Sequence, residues 1–136
     1  MGAEVDKEAA EAAAKLKKKQ QTAKKRRISA EEKRIRASYA DIPENLKNVA
    51  DGLIRRAAYM RITLEDYEGD LDERGYVEEF SQSEKTKPYE RERPVARLYN
   101  QMNKNYQSII KQLADLLPKG DGGGGKGDDD DDFDKF

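Results

Sequence analysis

Residues 94–118 read PVARLYNQMNKNYQSIIKQLADLLP, and their period sets the fold class. Val95, Leu98, Tyr99, Met102, Tyr106, Ile109, Ile110, Leu113, Leu116 and Leu117 recur at spacings of three and four, which lines them along one stripe of an α-helix. Pro94 suits the first turn, where its missing N–H has no intrahelical partner to lose, and the step from Pro118 to Gly120 stops the helix.

Working back toward the N-terminus, Leu46, Val49, Ala50, Leu53, Ala57, Met60, Leu64 and Tyr67 repeat the same spacing. They predict a second amphipathic helix that opens at Pro43 and ends near Gly69. Between the two, Tyr76-Val77-Glu78-Glu79-Phe80 alternates apolar and polar residues and then gives way to a polar run between Pro88 and Pro94, which fits a short hairpin or an ordered loop over 73–93. The expected fold is all-α: two long antiparallel amphipathic helices joined by that loop or hairpin. A short N-terminal helix over 29–40 is added by the Ser29/Glu32 capping spacing and by Ile28, Ile35 and Tyr39, and is ended by the Ile42–Pro43 step.

Residues 43–117 make a well-patterned region of 75 residues. A two-helix hairpin of that size covers only one side of each stripe and is marginal by itself. The apolar stripe of Leu98, Tyr99, Met102, Tyr106, Ile109, Ile110 and Leu113 is therefore the expected oligomerisation surface; in the alternative, the 29–40 helix folds back and completes a monomeric three-helix bundle.

Composition limits the chemistry. The 136 residues include no His, no Cys and no Trp, and 40% are charged. Zinc sites, thiol chemistry, Ser–His hydrolysis and disulfide scaffolds lose their usual groups, so no catalytic residues, no metal and no cofactor are expected. No apolar run approaches the roughly 20 residues that cross a bilayer, so no membrane partner is expected either, and the setting read from the sequence is cytosolic.

The net charge of −1 hides three blocks. Residues 1–36 carry 12 Lys/Arg against 6 Asp/Glu, residues 37–120 carry 13 against 15, and residues 121–136 carry 2 against 7. The chain accordingly divides into a basic region over 1–42, a helical core over 43–118 and a Gly/Asp-rich acidic tail over 119–136, the two end regions reading as flexible. Before its basic run the head is rich in Ala and Glu, with Val5 and Leu16 as its large apolar residues.

The candidate DNA contacts are Lys17, Lys18, Lys19, Lys24, Lys25, Arg26, Arg27, Lys33, Arg34 and Arg36. Dense Lys and Arg with almost no interleaved aromatics suit phosphate contacts better than base stacking, so binding should be salt-sensitive and weakly sequence-specific. Asp130, Asp131, Asp132, Phe133, Asp134 and Phe136 put two aromatics beside dense negative charge after a glycine tether, the form of a linear docking motif for a basic partner.

Two near-motifs fail. Residues 120–127 have the glycine and lysine spacing of a phosphate-cradling loop, but Gly127 stands where a Ser or Thr should hold magnesium. Residues 70–75 begin like a calcium loop, but Arg74 and Ser81 occupy positions that need coordinating oxygens, the second a bidentate Glu.

The stretch from Leu53 to Lys119 resembles the small terminase subunit of tailed bacteriophages of Gram-positive hosts. The residues that carry the likeness are Ala57-Ala58-Tyr59-Met60-Arg61, Thr63-Leu64-Glu65-Asp66, Pro88-Tyr89-Glu90-Arg91-Glu92-Arg93-Pro94-Val95-Ala96-Arg97-Leu98-Tyr99-Asn100, and Tyr106-Gln107-Ser108-Ile109-Ile110-Lys111-Gln112-Leu113. The resemblance implies a non-enzymatic genome-packaging factor acting in the host cytoplasm: a homo-oligomeric ring that binds double-stranded phage DNA near the packaging start and recruits and regulates the large terminase subunit, which holds the ATPase and nuclease. Many members carry an N-terminal helix-turn-helix, which residues 3–36 lack, so Arg55, Arg56 and Arg61 on the ring surface or in its lumen are further candidates for DNA contact. The competing reading is a general nucleic-acid-binding or scaffold protein whose acidic tail is autoinhibitory.

Overall fold

The computed structural model describes residues 2–119. Helix α1 spans Gly2–Ser38, α2 spans Lys47–Arg74 and α3 spans Pro94–Leu116, with a single 3-10 turn, Glu44–Leu46, ahead of α2. Strands β1 (Val77–Phe80) and β2 (Tyr89–Glu92) form the antiparallel hairpin between α2 and α3. The two long helices and the hairpin match the expectation from sequence.

The N-terminal region does not. In place of a short helix over 29–40 behind a flexible head, α1 is one helix of 37 residues, about 55 Å long. No Gly or Pro interrupts residues 3–42, and the run of Ala, Lys, Glu, Gln and Arg has high helix propensity throughout. Ser29 reads as a cap by its spacing, yet it lies inside the continuous helix, because nothing before it breaks the backbone ladder. Tyr39 donates its N–H to the Ile35 carbonyl at 3.0 Å, and the chain then turns through Ile42, which is 4% exposed, to Pro43.

Both α1 and α3 run antiparallel to α2. Arg27 meets Asp66 and Arg36 meets Asp51 along the α1–α2 seam, while Tyr99 meets Glu68 and Arg61 meets Tyr106 along the α2–α3 seam. With a neighbour on each side, α2 buries both Ala57 and Ala58 completely, together with Ala50 and Ile54. Ile35 from α1 and Ile109 and Leu113 from α3 complete that core. The fold-back alternative is therefore the arrangement within one chain. Val49, expected inside, is 57% exposed, whereas Ile54, outside the expected stripe, is buried at 4%. The stripe that faces two helices is displaced from the one that would face a single partner.

α2 continues past Gly69 to Arg74, because Gly69 is tolerated inside the helix and the stop comes at Gly75, whose φ of 82° is accessible to glycine. Residues 70–74 are thus helical and form no calcium loop. At that stop Arg93 donates to the Gly75 carbonyl and to Asp70, both at 2.8 Å, and pins the base of the hairpin to the end of α2. Across the strands Phe80 and Tyr89 meet edge to face with centroids 6.0 Å apart, and the Arg91 guanidinium lies 3.5 Å over the Phe80 ring.

Candidate nucleic-acid interface

Geometry divides the ten expected phosphate-binding residues of α1 into two groups. Three, Lys24, Arg27 and Arg36, reach carboxylates of α2, and a fourth, Arg34, pairs along its own helix. Arg27 donates to Asp66 at 2.7 Å and to Glu65 at 3.2 Å, Lys24 lies 3.7 Å from Asp66 and 5.1 Å over the Tyr59 ring, and Arg36 is paired with Asp51. Arg34 donates to Glu31, which is 7% exposed and also lies 3.5 Å from Arg61. These pairs raise the Arg27 and Arg34 guanidinium pKa values, chiefly through hydrogen bonds to Asp66 and Glu31 respectively, and hold the Asp51 carboxyl below its usual range, chiefly through the hydrogen bond from Arg36.

The other six, Lys17, Lys18, Lys19, Lys25, Arg26 and Lys33, are exposed and carry no ion pair among the described residues. Within an unbroken helix their angular positions follow from about 100° per residue. Lys19, Arg26 and Lys33, joined by Lys15, fall within about 40° of one another and roughly opposite Ile28 and Ile35, the residues that pack on the body. Lys18 and Lys25 flank them on one side. The outward face of α1 is thus a cationic stripe about 27 Å long, comparable with eight base pairs of duplex at about 3.4 Å each.

Lys15 is not in the expected set. The signal for it is its four-residue spacing to Lys19 and the seven-residue spacing from Lys19 to Arg26, which acquires meaning once the helix is continuous. Among the alternative arginines, Arg55 pairs with Asp51 at 3.2 Å and Arg61 contacts Glu31 and Tyr106; Arg56 is exposed without an ion pair among the described residues.

The expected oligomerisation stripe is also divided. Ile109 and Leu113 lie inside the chain's own core, with Tyr106 and Ile110 packed against it. Tyr99 is half-buried and donates its hydroxyl to Glu68 at 2.9 Å, a contact that raises its pKa. Leu98 remains 48% exposed, and Met102 is half-buried beside it on α3. The docking residues Asp130, Asp131, Asp132, Phe133, Asp134 and Phe136, and the glycine-rich run 120–127, lie outside the described residues.

Among the described residues no group of three or more acidic side chains is arranged to hold a metal ion, and no helix is long and apolar enough to cross a membrane. Comparison of the chain with protein-family models, curated proteins and solved structures finds no match.

Proposed function

We propose that this chain is a DNA-recognition subunit for viral genome packaging, a small terminase subunit that acts in the host cytoplasm. It binds double-stranded phage DNA near the packaging start and recruits and regulates the large ATPase and nuclease subunit. The observation that carries the reading is the cationic stripe of Lys15, Lys19, Arg26 and Lys33 on the face of α1 turned away from the body, without ion pairs among the described residues while neighbouring basic residues are held by carboxylates. Such a face contacts phosphates without reading bases, so affinity depends steeply on salt. The resemblance of residues 53–119 to small terminases supplies the biological setting; self-association into a ring and docking of the acidic aromatic tail on the large subunit belong to the same proposal.

Replacing Lys19, Arg26 and Lys33 with Ala is expected to weaken duplex binding and to lower the slope of log affinity against log salt by about 0.9 for each phosphate no longer neutralised. An unchanged slope rejects the stripe as the binding face. Light scattering on the full chain is expected to give a discrete mass of many subunits, and a monomer at micromolar concentration overturns the ring. Deleting residues 128–136 should abolish stimulation of the large subunit's ATPase while leaving DNA binding intact; stronger DNA binding after deletion, with stimulation unaffected, favours the autoinhibitory scaffold instead.

A further inference from the structure

Every residue from 2 to 23 of α1 is exposed, so about 33 Å of helix extends along no other element of the chain. The large apolar residues of this arm, Val5 and Leu16, are 65% and 57% exposed. They are not scattered. Val5, Ala9, Ala12 and Leu16 are spaced four, three and four apart, the repeat that keeps one seam of a helix facing a partner helix. The seam is also self-complementary in reverse: laid antiparallel against a copy of itself, Val5 meets Leu16 and Ala9 meets Ala12, with methyl groups at the centre and larger side chains closing each end.

Charge selects the same direction. Glu4, Asp6, Glu8 and Glu11, with Lys7 as the one cation among them, lie in the first half of the arm, and Lys15, Lys17, Lys18 and Lys19 follow. A parallel pair overlays like charges; an antiparallel pair overlays opposite ones. Glu8 and Lys15 occupy the same flanking position one heptad apart, and in an antiparallel pair residues at that position face each other across the seam. In a parallel pair the same two residues would face Ala13 and Gln20, which carry no charge.

We propose that the free arm of α1 is a self-association surface that pairs antiparallel with the same arm of a second copy, Val5 against Leu16 and Ala9 against Ala12, with Glu8 of each copy beside Lys15 of the other. The pairing stands whether or not the chain binds nucleic acid; it engages Lys15 and so withdraws that residue from the cationic stripe, while Arg26 and Lys33 lie beyond the overlap and stay open to phosphate.

The chain has no cysteine, so disulfide trapping of the full protein reads the register directly. Val5→Cys chains mixed with Leu16→Cys chains of different tag length are expected to form the mixed disulfide as the main product. Disulfides between identical chains are expected to be minor, because equivalent positions would lie about 16 Å apart along the axis, beyond the roughly 7 Å Cα separation a disulfide tolerates. Equal or greater yield of the identical-chain products overturns the antiparallel register, and no cross-link above that of the chains in denaturant overturns the pairing. Adding Glu8→Lys to both chains is expected to cut the mixed product several-fold, and combining it with Lys15→Glu to restore it; failure of that restoration overturns the charge pairing. Residues 5, 8, 15 and 16 are exposed on the arm, so the bundle fold is not at stake in these variants.

Discussion

Arg27 of α1 lies 2.7 Å from Asp66 of α2, close to where the packed half of α1 gives way to the exposed arm. The pair does two things: it helps to fix the angle at which the basic arm leaves the bundle, and it holds beside α2 a cation that would otherwise add to the outward stripe. Asp66 also receives Lys24 at 3.7 Å, so a single carboxylate restrains two of the basic residues that otherwise suit phosphate.

Removing that carboxylate should therefore strengthen nucleic-acid binding. Asp66→Asn is expected to raise duplex affinity at low salt and to steepen its salt dependence by the equivalent of about one to two further neutralised phosphates. Both sides of the bridges are substantially exposed, so stability should fall by no more than about 1 kcal/mol. Fluorescence anisotropy titrations across salt concentrations, with urea unfolding alongside, check both parts.

Arg93 should matter far more to the body than its surface neighbours. Its side chain is 13% exposed and holds both Asp70 and the Gly75 carbonyl. Arg93→Ala leaves those acceptors without their donor and is expected to cost about 1–3 kcal/mol in chemical denaturation, where Arg97→Ala, whose 3.8 Å pair with Glu92 is exposed, should cost under about 0.5 kcal/mol.

The glycines of α2 and its end differ in kind. A Cβ at Gly52 or Gly69 meets nothing within 4 Å, so Ala there is expected to stabilise by about 0.5–1 kcal/mol through helix propensity. Gly75→Ala should destabilise, because φ of 82° strains a residue with a Cβ even where space is open. Thermal unfolding of the three single variants separates the two effects.

Acid should loosen the α1–α2 seam at Asp51. Arg36 holds this carboxyl below its ordinary pKa in the folded state, so its stabilising contribution is complete above the unfolded carboxylate pKa and is lost as pH falls through the folded one. The stability difference between the native chain and Arg36→Gln is expected to be constant near neutral pH and to shrink below about pH 4. A difference that is independent of pH down to about pH 2 contradicts the assignment.

The core of the fold was legible because its signal is local. Ten apolar residues at helical spacing after Pro94, and the alternation before Pro88, need no knowledge of a partner to be read as helix and hairpin. Helix α1 was harder. Its first half offers only Val5 and Leu16 as large apolar residues, with alanines at the helical spacing between them, and so thin a seam is a faint periodic signal where a helix has no core of its own chain to face. Propensity and the absence of any Gly or Pro from residue 3 to residue 42 point to the continuous helix, but they are the weaker indicators.

Local pattern along the chain was thus enough for the helical period of α2 and α3, the hairpin between them and the concentration of positive charge in residues 15–36. Which of those charges are free is a matter of tertiary packing. Arg27 and Asp66 are 39 residues apart and Arg36 and Asp51 are 15 apart, and no spacing along the chain says that they meet. They meet because α1 lies antiparallel on α2, an arrangement set by burying Ile35 in one core with Ala50, Ile54 and Leu113. Once that apolar contact fixes the rotation of α1 about its axis, Lys24, Arg27 and Arg36 are turned toward carboxylates of α2, and Lys19, Arg26 and Lys33 are turned toward solvent; Arg34 meets Glu31 of its own helix, a spacing of three that the chain already shows.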